Sequence, residues 1–258
     1  MSTHGHDKTR VQEYFSRQDG IFRAIYDKGA EEYLMSHPSM RSVFYGCNGI
    51  VSCIDEGTPH GDIRFAGSGI LNEKIREILD RERERGNLTR ITSHDECGAA
   101  RLFVQSKGLD ISTADGLGRK FAKYLAEELG VKHVHIGIED MERPSGLHIA
   151  RFVYFDGTGR FNPSKLNGGF IPAGFVVSRG YLDAETAVNE AKLAVGIATG
   201  VHGFGELITP DKPLIIVPVG HPKESRLSVA SLRRELAPIA NEYGDRVHID
   251  EGFNAPFP

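Results

Sequence analysis

Apolar and aromatic residues recur at helical spacing near the N-terminus, between Val11 and His37. Residues three or four apart share one face of a helix, so this spacing predicts one or two amphipathic helices. We expect an interruption near Asp19-Gly20 and an end at His37-Pro38, because glycine and proline are disfavoured in a helix interior. The apolar positions concerned are Tyr14, Phe15, Ile21, Phe22, Ile25, Tyr26, Tyr33 and Leu34.

Short apolar runs and longer amphipathic stretches alternate through the middle of the chain. The runs predict strands over Val43–Asp55, Leu88–Thr92 and Val131–Ile138. Two amphipathic stretches that end in glycine predict helices within 72–86 and 112–130. Strands that alternate with helices are typical of a parallel sheet covered by helices.

The alternation continues towards the C-terminus. The sequence Asp-Gly-Thr-Gly at 156–159 lies between apolar runs and predicts a β-hairpin, and residues 163–173 indicate a linker or a lid. Beyond it we expect strands at 175–177, 214–219 and 247–249 and helices at 184–199 and 228–243.

Together these elements predict an α/β protein with a parallel-sheet core, N-terminal helices and extra C-terminal α/β units. We divide the chain into an N-terminal tail with helices (1–41), a central domain (42–165) and a C-terminal α/β extension (166–258). The extension either enlarges the same sheet or forms a small second lobe.

Composition and charge exclude several classes of protein. The 258 residues are 40% hydrophobic and 26% charged, as in an ordinary water-soluble globular protein. A formal net charge of -4 gives no electrostatic reason to expect binding to nucleic acid or to an anionic membrane. No apolar run is long enough to span a membrane, and the N-terminus has no apolar signal region. Three cysteines, an odd number, suit a reducing compartment, so we expect a cytoplasmic protein.

Two groups of potential metal ligands follow two of the predicted strands. Cys53 and Asp55 come at the end of the first strand, and His94 and Cys97 follow the second. Zinc selects thiolate, imidazole and carboxylate ligands, and the carboxyl ends of parallel strands meet at one edge of a sheet. We therefore interpret these four residues as a Zn²⁺ site. The alternative is that the cysteines only pack in the core, as buried cysteines often do.

Three histidines elsewhere are weaker candidates. His60 lies in the glycine-rich loop after Asp55, where an imidazole suits proton transfer near neutral pH. His133 and His135 share one face of a predicted strand. They can bind a metal, but the polar face of a half-exposed strand explains them equally well.

Three segments resemble the signature of the β-class carbonic anhydrases. They are Cys53-Ile54-Asp55, Ile63-Arg64-Phe65-Ala66-Gly67 and Ser93-His94-Asp95-Glu96-Cys97-Gly98-Ala99. That family shows a strand ending in Cys-x-Asp-x-Arg, then Arg-Asn-Ala-Gly, then Gly-His-x-x-Cys-Gly-Ala. The resemblance covers about residues 42–165, and the His-x-x-Cys-Gly-Ala segment is its most specific part.

The resemblance implies that Cys53, His94 and Cys97 bind zinc and that Asp55 either coordinates the metal or orients its water. One departure falls on the chemistry, because the family has an arginine two residues after the aspartate and this chain has Gly57. Asp55 is then free to ligate zinc and close the site, or Arg64 or His60 replaces the arginine as its partner.

The resemblance further implies a zinc lyase in which zinc-bound hydroxide hydrates carbon dioxide, a small linear electrophile. It also implies a homodimer or higher homo-oligomer, since an N-terminal helix lies across the partner subunit in that family. The alternative is a non-catalytic zinc protein closed by two cysteines, one histidine and one aspartate, whose C-terminal extension binds a partner or a small molecule. A zinc hydrolase of different specificity, acting on carbonyl sulfide, carbon disulfide or a larger substrate, is the third possibility.

Overall fold

The structure is a computed structural model that describes residues 8–44, 48–59, 61–163, 170–200 and 205–256. Two N-terminal helices, α1 (Lys8–Lys28) and α2 (Ala30–Met35), meet at Gly29, whose φ of 89° lies in the left-handed region. The predicted interruption at Asp19-Gly20 is wrong, because α1 continues through it. A glycine in a helix interior costs only about 1 kcal/mol, which the burial of neighbouring apolar side chains offsets.

The first sheet has four parallel strands in the order β2-β1-β3-β4. They are β1 (Ile50–Ser52), β2 (Ile63–Arg64), β3 (Arg90–His94) and β4 (Lys132–Ile136). The helices of this half are α3 (Ile75–Glu84), α4 (Gly98–Ser106) and α5 (Ala114–Leu129). The strand expected over Val43–Asp55 is much shorter, because Pro38–Val43 forms a 3-10 helix and β1 begins only at Ile50.

The second sheet is also parallel, with the order β6-β5-β7-β8 and a last strand, β9, paired to β7. Its strands are β5 (Phe152–Asp156), β6 (Gly174–Val177), β7 (Leu214–Gly220), β8 (Val247–Ile249) and β9 (Phe253–Asn254). Two helices, α6 (Ala184–Thr199) and α7 (Val229–Tyr243), belong to this half. The hairpin predicted at 156–159 is wrong, because β5 lies between β6 and β7 and runs parallel to both.

The α/β class with parallel sheets is confirmed, and α6 has the bounds that the sequence predicts. Within the described ranges, no helix is both long and apolar enough to cross a membrane. The proposed domain limits stay a prediction, although β5 and β6 lie on opposite sides of residue 165 and pair within one sheet.

The N-terminal helices cover one face of the second sheet. Phe22, Ile25 and Leu34 are buried in a cluster with Phe152 and Ile215 of that sheet. The other face packs against α6 and α7, and its side chains join the cluster that also forms the core of the first half. The aromatic residues of α1 thus contribute to the core of their own chain.

The two sheets have the same strand order, with the second strand at the edge, followed by the first, third and fourth. In each, the first strand leads into an aspartate that accepts a hydrogen bond from the backbone N–H two residues later. The distances are 2.8 Å from Gly57 N to Asp55 Oδ1 and 2.8 Å from Thr158 N to Asp156 Oδ1. The chain therefore contains two parallel sheets of one topology.

The sheets meet where β1 and β6 end. Val176 N donates to Ile54 O at 3.0 Å, and Ser178 Oγ donates to Asp62 O at 2.7 Å. The same hydroxyl accepts a hydrogen bond from Arg64 N at 3.1 Å. These contacts bring the second half of the chain against the segment that follows β1.

A buried carboxyl group of α6 also contacts the first half. Glu190 is 2% exposed, and its Oε2 accepts a hydrogen bond from Ala66 N at 2.6 Å. Burial raises the pKa of Glu190 from 4.5 to about 7, although the hydrogen bonds from Ala66 and Asn72 act in the opposite direction. The protonated form is therefore favoured in the folded protein.

Glu190→Gln should change the pH dependence of stability. Because the pKa of Glu190 is raised in the folded state, its contribution to the free energy of unfolding is complete below pH 4.5. This contribution falls as the pH rises and is lost above about pH 7. At about 1.4 kcal/mol per pKa unit, the variant should gain about 3 kcal/mol over wild type between pH 4.5 and pH 8. Urea unfolding across this range measures the difference. Glu185→Gln, at an exposed position of the same helix, is the control, and an equal change in both variants would contradict the prediction.

Candidate metal centre

Cys53, His94 and Cys97 come together at the carboxyl edge of the first sheet. Cys53 directly follows β1, His94 ends the neighbouring β3, and Cys97 is the residue before α4. The two Sγ atoms are 4.0 Å apart, and the potential ligand atoms of all three residues lie within 4.8 Å of one another. All three residues are buried, and both thiols are free.

The donor atoms of this cluster fit a tetrahedral metal ion. His94 Nδ1 lies 2.8 Å from Asp95 O, so it carries a proton and donates, and in the neutral imidazole the lone pair is therefore on Nε2. Nε2 is buried and has no hydrogen-bond partner among the described residues. Two thiolates on one zinc ion would be about 3.8 Å apart, given Zn–S bonds of about 2.3 Å in a tetrahedron. The observed 4.0 Å separation is close to that value.

The electrostatics show that the metal-free cluster retains protons. Burial raises the pKa of the Cys53 thiol well above its usual value. The hydrogen bond with Cys53 lowers the pKa of Cys97 against the effect of burial, with help from the N–H groups of Ala99 and Ala100 at the start of α4. Burial alone would lower the pKa of His94, but Cys53 and then Asp55 raise it to about 9. Metal binding must therefore release protons.

The backbone around the cluster is unusual at two positions. Glu96, between His94 and Cys97, has a φ of 57°, which is uncommon for a residue with a side chain. Gly67 also has a φ of 57°, and its N–H donates to Cys53 Sγ at 3.2 Å. A Cβ at position 67 would lie 2.7 Å from Ile70 Cγ2 and 3.5 Å from Cys97 Sγ. Glycine is thus required for this close approach to the thiols.

Asp55 lies beside the cluster but is held by other partners. Its Oδ1 accepts hydrogen bonds from Arg143 Nε at 2.9 Å and from Gly57 N at 2.8 Å. Burial would raise the pKa of Asp55, but the positive charge of Arg143 holds it well below its usual value. Asp55 is therefore an ionised carboxylate in a buried ion pair.

Arg143 fills the space that a side chain at position 57 would need. A Cβ on Gly57 would lie 2.3 Å from Arg143 Cγ and 2.9 Å from its Cβ. The guanidinium is 1% exposed and also contacts Glu96, with Nη1 3.3 Å from Oε2. The sequence gives no motif for Arg143, which is 88 residues from Asp55; its only signal is the absence of a side chain at Gly57.

Arg64 has a different environment from the one that we expect from the sequence. Its side-chain hydrogen bonds run to the carbonyl oxygens of Gly61, Cys53 and Thr58, at 3.1, 3.2 and 3.2 Å, and to Asn162 Oδ1 at 3.5 Å. Arg64 thus stabilises the loop after β1, while Arg143 pairs with Asp55. His60, the other candidate partner, lies outside the described residues.

A second buried cluster joins Asp55 to Glu56 and His148. His148 Nδ1 is 3.2 Å from both carboxylate oxygens of Glu56 and 3.8 Å from Asp55 Oδ2. Glu56 Oε1 also accepts a hydrogen bond from Ile149 N at 2.8 Å. The sequence does not single out Glu56 or His148, because the contact joins segments 92 residues apart.

His133 and His135 belong to a hydrogen-bond network and not to the ligand cluster. Ser93 Oγ lies 2.9 Å from His133 Nε2 and 2.9 Å from His135 Nδ1. His135 Nε2 is 2.9 Å from Asp95 Oδ1. Because the carbonyl of Asp95 receives the His94 hydrogen bond, this network helps to orient the His94 ring.

Arg143→Met should destabilise the protein by about 3–5 kcal/mol, because it leaves the Asp55 carboxylate buried without a counter-charge. Arg76→Met is the control: Arg76 forms exposed ion pairs with Asp80 and Glu128, which water screens, so its loss should change stability far less. Urea unfolding measures both. Adding Asp55→Asn to Arg143→Met should recover part of the loss, and strictly additive effects would contradict direct coupling.

Comparison with known proteins gives no family for this chain. No model of a protein family matches it, and neither curated proteins nor solved structures show significant similarity.

Proposed function

We propose that the protein is a zinc enzyme that hydrates carbon dioxide, as the resemblance of its motifs to β-class carbonic anhydrases suggests. The observation that carries the proposal is the buried His94 Nε2, which makes no hydrogen bond of normal geometry to the described residues and lies within 4.8 Å of two free thiols. Buried polar atoms without partners are rare and call for an explanation, and a metal ion supplies one here.

Cys53, His94 and Cys97 would hold the ion. Three protein ligands and one open position are typical of catalytic zinc, whereas four protein ligands are typical of structural zinc. When bound, zinc lowers the pKa of a coordinated water to about 7 and so makes hydroxide available at neutral pH. The rest of the proposal concerns what the residues around the ion do.

Arg143 takes the role of the arginine that the resembled family has at the position of Gly57. The pair of Arg143 Nε with Asp55 Oδ1, at 2.9 Å, keeps that oxygen away from the ligand cluster. The aliphatic part of Arg143 occupies the space beside Gly57, so Arg143 can take this position only if residue 57 has no side chain. The departure from the family pattern therefore favours an open site and not a closed one.

Asp55 would accept a hydrogen bond from the reacting water and so orient it for attack. Its carboxylate is ionised and held in place by two donors, so it can accept without moving. Arg64 would keep the loop between β1 and β2 in shape through its carbonyl contacts. The alternative of a closed structural site requires Asp55 to move, because it does not belong to the cysteine and histidine cluster, whose ligand atoms lie within 4.8 Å of one another.

The proposed substrate is a small molecule. The proposal also keeps the homodimer and the cytoplasmic location that we expect from the sequence. The exposure of α1 limits how it can contact a second copy. Tyr26 is 38% exposed, whereas Phe22 and Ile25 are buried within the chain. Little apolar surface of α1 is therefore left for a second copy.

Zinc-loaded wild-type protein should contain one zinc ion per chain and hydrate carbon dioxide in stopped flow between pH 6.5 and 9. His94→Ala and Cys97→Ser should lose both the metal and the rate, because each removes one of three ligands. His248→Ala is the control, since it removes a histidine of β8 in the second sheet and should keep both. Stoichiometric zinc without any rate across this pH range would contradict the proposed reaction.

Asp55→Asn separates the two roles considered for this carboxylate. If Asp55 orients water, the variant keeps zinc with nearly unchanged affinity but loses at least about a hundredfold in kcat, the lower end of the range for a positioned proton acceptor. A chelator competition assay measures the affinity. A marked loss of zinc affinity would instead identify Asp55 as a fourth ligand and contradict the open site.

A further inference from the structure

A cavity of about 130 Å³ lies between α4 and α6, and its lining runs along α4 from Gly98, next to Cys97, to Gln105. Gly98 and Leu102 of α4 line one side, and Gly196 and Ile197 of α6 line the other. The walls are largely apolar. In other proteins an apolar cavity of about 150 Å³ binds xenon or benzene, so this space is large enough for a small molecule.

The cavity borders both clusters of the candidate centre. Gly98 directly follows Cys97, and its Cβ position is 3.7 Å from Ile197 Cδ1. His148, which contacts Glu56 and Asp55, also contributes to the lining. A molecule in the cavity therefore lies between the second half of the chain and the residues that surround the metal position.

The largely apolar walls of the cavity favour an uncharged occupant. The carboxylate of Glu96 pairs with Arg143 and accepts from Gly146 N at 2.8 Å, so its charge is already compensated. His148 Nδ1 is directed at Glu56. Arg101 also lines the cavity, and its positive charge makes an anion the competing occupant.

We infer that this cavity binds the apolar substrate before it reacts and that Gly196 of α6 keeps the space open. This inference rests on the proposed function for the identity of the substrate, but not for the existence of the binding site. At Gly196 an added Cβ would have Tyr243 Oη, 3.8 Å away, as its nearest neighbour. Because Gly196 is part of the lining and its Cβ position is uncrowded, we expect a larger side chain there to reduce the volume of the cavity.

Gly196→Leu should fill the cavity, and Gly116→Leu is the matched control. Both glycines are exposed helical positions with room for a side chain, and Gly116 of α5 is not part of the lining. Xenon is the probe, and its binding is followed by ¹²⁹Xe NMR in the metal-loaded and the metal-free protein. We expect saturable binding in wild type and in Gly116→Leu, and its loss in Gly196→Leu.

Kinetics then tests whether the occupant is the substrate. In Gly196→Leu the KM for carbon dioxide should rise several-fold with a much smaller change in kcat, and Gly116→Leu should behave as wild type. Gly196→Ala, which fills less space, should give an intermediate KM and serves if the leucine variant does not fold.

The outcomes separate this inference from the proposed function. Xenon binding that is lost in Gly196→Leu supports the site, even if the wild-type protein hydrates no carbon dioxide. Absence of hydration would count only against the proposed reaction. Absence of xenon binding, or binding that Gly196→Leu leaves intact, would overturn the inference. Displacement of xenon by millimolar nitrate in wild type but not in Arg101→Met would also overturn it, because the occupant would then be an anion.

Discussion

The buried ion pair between Arg143 and Asp55 is the interaction on which the candidate centre depends. Removing two charges from water costs several kcal/mol per ion, so such a pair persists only with close geometry and additional hydrogen bonds. Here Gly57 N completes the coordination of Asp55, while Glu96 and the carbonyl of Leu147 receive the remaining guanidinium donors. The loop after β1, the corner between β3 and α4, and the segment after β4 are thereby fixed to one another.

The second sheet supports this arrangement without repeating its chemistry. Its first strand leads into Asp156, as β1 leads into Asp55, but the residue two positions earlier is Tyr154 where the first half has Cys53. Among the described residues, both possible ligand groups lie before β5. The second half contributes three contacts. Glu190 accepts a hydrogen bond from Ala66 N, the Ser178 hydroxyl accepts one from Arg64 N, and α6 forms one wall of the cavity.

Local patterns in the sequence predict those parts of the site that depend on local geometry. Cys53, His94 and Cys97 follow apolar runs, and parallel strands end at one edge, so their proximity follows from periodicity and topology alone. Arg143, Glu56 and His148 could not be predicted in this way, since their contacts cross about ninety residues of chain. The prediction of a hairpin at 156–159 is wrong for a related reason, because turn residues do not specify which strand pairs with β5.

The ion pair also bears on the choice between an open and a closed metal site. Asp55 Oδ1 is the atom that Arg143 and Gly57 both contact, so ligation through it would leave a buried guanidinium and a backbone N–H without their acceptor. Leaving one partner of a buried pair uncompensated costs about 3–5 kcal/mol, and an unsatisfied amide adds about 1–3 kcal/mol. Ligation through Oδ2 would avoid both costs, but Asp55 does not belong to the three-residue cluster whose ligand atoms lie within 4.8 Å of one another. The pair with Arg143 therefore favours an Asp55 that stays beside the three-residue cluster, and it does so through an arginine far from the cluster in sequence.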